Sequence, residues 1–199
     1  MNHDKWVDLD FAVKRSIRYH NHRRKFFDTW DVVAKFLVIA TGTTVVGLAS
    51  ATSSGDEGHH VWTISVGAFT AIIGSLDLVI GFSRRARDYR DLVRDFSQLE
   101  REISTVGEKR EEDNYVKFLN RRLEIEENEP PVKRVLDCYC HNEVARSLGW
   151  PDDEMVKISF WQRLFMQWFD IAAGSLKKNC EANPPQNPIL PTPAVGQNS

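Results

Sequence analysis

Two stretches decide the fold: FLVIATGTTVVGLASATSSG, from Phe36 to Gly55, and VWTISVGAFTAIIGSLDLVIGF, from Val61 to Phe82. The first has no charged side chain and the second only Asp77. With Val32, Val33 and Ala34 ahead of it, the first run is long enough to cross a hydrocarbon core, which takes roughly 20 apolar residues. The segment between them, SSGDEGHH, carries Gly55 and Gly58 and no hydrophobic residue, which predicts a tight turn between antiparallel helices. Burying such a pair in a soluble core would take more apolar sequence than the rest of this 199-residue chain supplies.

The basic residues orient the hairpin. Lys14, Arg15, Arg18, Arg23, Arg24 and Lys25 precede the first span, and Arg84, Arg85, Arg87, Arg90 and Arg94 follow the second. The connecting loop has Asp56 and Glu57 and no base, which predicts that both termini are cytoplasmic and that the chain is a multi-pass protein of the plasma (inner) membrane. Trp30 and Trp62 fall at span ends, where indole rings favour the interface. The net charge of −2 gives no reason to expect nucleic acid. The cluster Arg18, Arg23, Arg24 and Lys25, with Arg84 and Arg85, is placed instead for anionic lipid headgroups. A cleaved signal peptide is not expected, because the first apolar run begins late and is too long.

On the second span Gly67, Thr70, Gly74, Asp77 and Gly81 recur at spacings that share one helical face, small or polar throughout. Such a face meets another helix or lines a lumen. Asp77 lies six positions before Ser83, about 9 Å inside the cytoplasmic end. Lys35 sits at a similar depth on the first span, making Lys35 and Asp77 a candidate intramembrane pair; snorkelling of Lys35 or protonation of Asp77 are the alternatives.

Outside the spans the periodicity is helical. Trp6, Leu9, Val13 and Ile17 mark an amphipathic basic juxtamembrane helix over 1–30. Tyr89, Leu92, Phe96, Leu99, Ile103 and Val106 form a coiled-coil-like seam on a long helix continuing the second span, able to pair within the chain or with another copy. A further helix is expected over 113–128 with Val116, Leu119 and Leu123 on one face, then one over 131–148 carrying Val132, Leu136, Tyr139 and Val144. An aromatic helix over 153–173 has two placements, in the cytoplasmic bundle or on the membrane surface. The fold class is thus an all-α membrane protein: a two-helix transmembrane hairpin over 31–83, with spans at about 32–53 and 61–83, a cytoplasmic helical domain over 84–173 containing one long coiled-coil-like helix, and a disordered Pro-rich tail over 174–199.

Cys138, Cys140, His141 and Glu143 do not converge on one helix face, so no metal site is expected, and Asp137 with His141 reads as a helix-surface pair. His20 and His22 read as interfacial. The odd cysteine count predicts reduced thiols. Phosphate loop, dinucleotide, nucleophile-elbow and kinase signatures are missing, so neither an enzyme nor a cofactor is expected.

The layout resembles the SLATT family of prokaryotic two-transmembrane effector domains. The matching stretch runs from about Phe11 to Val106 and includes RSIRYHNHRRKFFDTWD, the hairpin, and FSRRARDYRDL. The resemblance implies a membrane-perturbing or pore-forming effector in a prokaryotic stress or defence response, acting as a homo-oligomer. The alternative is a non-conducting scaffold or regulatory subunit that recruits a cytoplasmic protein partner through its helical domain.

Overall fold

A computed structural model describes residues 2–51, 57–106, 111–151 and 155–170. All regular structure among them is helical: α1 (Asn2–Ala51), α2 (Glu57–Ile80), α3 (Phe82–Val106), α4 (Glu112–Glu127), α5 (Arg134–Ser147) and α6 (Phe160–Phe165). The chain divides into one unit of residues 1–21 with 91–199, and a second of residues 22–90. Of the expected connecting turn, residues 53–56 lie outside the described residues, while Glu57, Gly58, His59 and His60 are the first turn of α2; the Pro-rich tail also lies outside the described residues.

In the first unit the amphipathic pattern at the chain start is used as expected. Trp6, Leu9 and Val13 are buried, and Phe11, Ala12, Tyr19 and His20 join them. Inward positions on so many sides make this part of α1 a central helix. Trp6 packs edge-on against Tyr115 and Phe118, with ring centroids 5.8 and 6.1 Å away. Phe118 and Ile125 are therefore the buried positions of α4, while Val116 and Leu123 are exposed. Of the three aliphatics expected on one face, Leu119 is half-buried, and Trp6 of α1 draws Tyr115 and Phe118 toward itself instead of Val116 and Leu123.

The α3 seam is buried within the chain: Leu92, Phe96, Leu99 and Ile103 are all covered, and Phe96 stacks on the His20 ring at 5.4 Å and 13°. Pairing in cis is the outcome, and the seam has no free face left for another copy. On α5, Val135, Leu136, Cys138, Cys140, Val144 and Ala145 are buried, whereas Val132 precedes the helix and is exposed. Pro130 and Pro131 hold the chain out of α-geometry until Arg134. Gly149, at φ +80°, ends that segment with a turn.

The aromatic helix is much shorter than expected. Residues from Met155 to Ser159 are irregular, and Asn142 explains why: its amide donates to the Val156 carbonyl at 2.7 Å and accepts the Val156 N–H at 3.0 Å. That side chain replaces the helical partners Val156 would otherwise need. The chain turns helical only after Ser159, whose N–H is capped by Gln162 Oε1 at 2.9 Å.

In the second unit, α1 and α2 are each long and apolar enough to cross a membrane. In the most apolar stretch of each, 6% and 0% of the residues are buried, so neither of these stretches is buried in a core of this chain. Exposure reaches 86% at Leu78 and 82% at Val79. No separate helix precedes the first span, because α1 is continuous from Asn2 to Ala51. The second span does not run on unbroken into α3. Gly81 sits at φ +64° and separates them, although its N–H still reaches the Asp77 carbonyl at 2.8 Å and its carbonyl accepts the Arg85 N–H at 3.0 Å. The helical pattern of side chains continues across this point, so periodicity alone does not reveal the break.

Candidate functional site

The second unit carries the face singled out by its small residues. Gly67, Thr70, Gly74, Asp77 and Gly81 are all half-buried, while Ala68, Phe69, Ala71, Ile72, Leu76, Leu78 and Val79 are exposed. On α1 the matching half-buried set includes Leu37, Val38, Thr41 and Val45. The cover is loose. A methyl group placed on Gly42, Gly47, Gly67 or Gly74 would meet no atom within 4 Å. Close packing within one chain therefore does not account for these glycines.

The hydroxyls on the spans are satisfied by their own helices. Thr70 donates to the Val66 carbonyl at 2.8 Å, Ser75 to Ala71 at 2.7 Å, and Thr41 to Leu37 at 2.7 Å. Bonding back one turn lets Ser and Thr sit in an apolar setting without an outside partner. Asp77 has no such solution and forms no ion pair among the described residues. Lys35 does not reach it. Its ammonium lies 2.7 Å from Asp31 Oδ2, one turn back on α1. The i,i+4 geometry supplies that partner within the helix, so the pairing proposed across the hairpin does not form.

Next to the spans is an aromatic cluster that was not foreseen. Phe27 stacks on Tyr89 at 5.5 Å and 11°, and the Arg23 guanidinium lies 4.7 Å from the Phe27 ring centre and 5.4 Å from that of Tyr89. Arg23 is only 5% exposed, so it faces rings and not headgroups. Among the other basic residues assigned to lipid, Arg18 donates to Ser147 Oγ at 2.8 Å, Arg24 is half-buried, and Lys25, Arg84 and Arg85 are exposed. Arg85 also lies over the Phe27 ring at 5.7 Å. The signal available in the sequence was Phe26 and Phe27 directly after the bases, with Tyr89 among the arginines that follow the second span.

The first unit holds a polar pocket of about 470 Å³, lined by Arg15, Ser16, Tyr19 and His20 of α1 and by Glu126, Glu129, Pro130, Pro131, Val132 and Asp137. Its charged groups have partners. Arg15 Nε is 3.3 Å from Asp137, His20 Nε2 is 3.0 Å from Glu129, and Glu126 accepts from Arg122 at 2.7 Å. The Tyr19 hydroxyl accepts the Lys133 N–H at 2.9 Å. Burial raises the Asp137 carboxyl above the usual range, opposed by the Arg15 guanidinium. His20 is 1% exposed, so it is a core residue and not an interfacial one. His141 is likewise buried, edge-on to Phe11 at 4.9 Å, and does not pair with Asp137 on the surface. Burial first, and Arg15 second, lower its pKa to about 4. Burial also pushes the Cys140 thiol well up, which keeps it protonated. Among the described cysteines Cys140 is free, in keeping with the expectation of reduced thiols, and Cys180 lies outside the described residues.

Comparison with protein-family models, curated proteins and solved structures finds no match.

Proposed function

We propose that this chain is an integral membrane protein whose two apolar helices insert as a hairpin, and that copies assemble through the second span's small-polar face into a membrane-perturbing effector. The observation that carries the assembly is the vacant space along that face. Glycine costs a helix about 1 kcal/mol relative to alanine, and no neighbour within the chain makes Gly67 or Gly74 necessary. A helix from a second copy supplies the missing neighbour, since small residues let backbones approach closely. Asp77 lies on the same face without an ion pair. A carboxylate at membrane depth costs about 3 kcal/mol, which a wet lumen shared between copies relieves.

Insertion is supported by the exposed apolar belt. Val32, Phe36, Ile39, Val46, Ile64, Ile72, Leu78 and Val79 all face outward. Leaving such side chains in water forgoes about 1.5–3 kcal/mol each, whereas lipid accepts them without penalty.

The test combines mass and conductance. Protein purified in detergent and weighed by light scattering is expected to be an oligomer, and in vesicles it is expected to pass ions. Gly74→Ala has room within its own chain, so a fall in leak with insertion intact locates the effect between copies. Asp77→Asn is expected to change cation preference, because a ring of carboxylates favours cations. A monomer in detergent sinks the reading, since two spans cannot enclose a channel. Full assembly with no ion flux puts the non-conducting scaffold first.

A further inference from the structure

The aromatic turn near the end of the described chain has no role in the reading above. Phe160, Trp161, Leu164, Trp168 and Phe169 are exposed by 71, 62, 54, 41 and 62%. Five large apolar side chains within ten residues, all outward, form a patch and not scattered exposure. Phe160, Trp161 and Leu164 lie on α6, and Trp168 and Phe169 in the turn that follows it. The patch is braced from behind. Met166 and Ile158 pack against the cluster of Val135, Cys138 and Val156. The Lys133 ammonium reaches the Trp168 carbonyl at 3.3 Å, and Asp170 accepts the Val135 N–H at 3.3 Å. Trp161 stacks on Phe165 at 6.2 Å and 11°, and Phe160 meets Trp161 edge-on at 5.7 Å. The backbone is fastened to α5 while the rings point away from it, so their exposure is built into the fold.

We propose that this turn is a second membrane contact, a reversible dock for the anionic surface of the bilayer that holds the two spans. The inference rests on the insertion reading above. Chemistry favours lipid over a protein partner. Indole suits the headgroup level, where its ring is apolar and its N–H stays wet. Lys157 and Arg163 are exposed within this segment, and Arg134 is exposed on the adjoining end of α5. Aromatic anchors flanked by bases match the recipe for lying in the interface plane of anionic lipid. The spans also keep the turn at high effective concentration near a bilayer, so a weak patch suffices.

The full-length protein tests this in phosphatidylcholine vesicles containing phosphatidylserine, with lipids brominated near the headgroup end of the acyl chain. Bromine quenches only tryptophans that reach that depth. The chain has six tryptophans, and Trp161→Phe with Trp168→Phe removes two while keeping an aromatic turn. The emission lost to bromination per mole of protein is expected to be larger in the parent than in the double variant. The excess is expected to shrink by roughly half or more without phosphatidylserine or at high salt, as screened headgroup attraction requires. The variant's own quenching, from Trp30 and Trp62 at the span ends, reports insertion separately. Equal loss in parent and variant, with the variant still quenched, overturns the dock and leaves insertion standing. In that case, acrylamide shielding of Trp161 that grows with protein concentration assigns the patch to a second copy. No bromine quenching in either protein removes the insertion reading and the dock with it.

Discussion

His141 shows how burial decides a side chain's chemistry. Its position beside Phe11 and Trp150 leaves no room for a charge, and its pKa falls to about 4. The unfolded chain takes up a proton near pH 6.5, but the folded chain does so only near pH 4. Stability from this site is therefore complete above pH 6.5 and is lost as pH falls toward 4, by up to about 3 kcal/mol. Thermal unfolding in detergent checks it: the drop in midpoint between pH 7.5 and pH 5 should be smaller in His141→Gln than in the parent, and an equal drop refutes the assignment. Residues of this kind were the least legible in the sequence. Trp6, Leu9, Val13 and the α3 seam announced their burial by helical spacing. His20, Arg23 and His141 did not, because a polar side chain is buried by a partner distant in sequence: Glu129 for His20, Tyr89 for Arg23, Phe11 for His141. No local pattern encodes those pairings.

Elements were legible in type and less so in extent. Helices were expected almost everywhere they occur, since a 3.6-residue period survives any tertiary context. Their ends were harder. Gly81 breaks a run whose hydrophobic pattern passes straight through it, and Asn142 unwinds residues that would otherwise extend α6 toward α5. Two glycines on the same face should now behave in opposite ways. At Gly81 the positive φ opposes any Cβ, so Gly81→Ala is expected to destabilise by about 1 kcal/mol or to straighten α2 into α3. At Gly74 the backbone is helical and the space open, so Gly74→Ala is expected to be neutral or to stabilise the monomeric chain by up to about 1 kcal/mol. Midpoints of thermal unfolding in detergent, with the protein diluted below assembly, compare the two. A larger loss at Gly74 than at Gly81 would contradict the geometry at both positions.

For the whole molecule, the apolar belt and the flanking bases were the clearest features of the sequence, and the structure leaves that belt on the outside of the chain. If the two apolar helices insert as proposed, two neighbouring cysteines report which side of the membrane the first unit occupies. Cys140 is buried and protonated, so it should ignore maleimide until the protein unfolds. The oxidation state of Cys138 in the cell is set by its compartment, since a disulfide persists on the oxidising side and is reduced in the cytoplasm. Cells can be lysed into denaturant with a thiol-blocking reagent and no reductant, and the modified positions read by mass. With both termini cytoplasmic, Cys138 should be blocked along with Cys140. If Cys138 is protected while Cys140 reacts, the first unit lies on the oxidising side, and the orientation drawn from the arginines and lysines is reversed.

Beside Gly67 and Gly74 there is room that the chain never fills. One base change converts a glycine codon to an alanine codon, and the alanine helix is the better one by about 1 kcal/mol. For the lone chain, drift at both positions therefore runs downhill with no steric barrier against it. A population propagated with membrane insertion as its only requirement should shed both glycines within few substitutions. One propagated with the assembled form under selection should retain them, and the two rates of loss measure how strongly assembly constrains the gene.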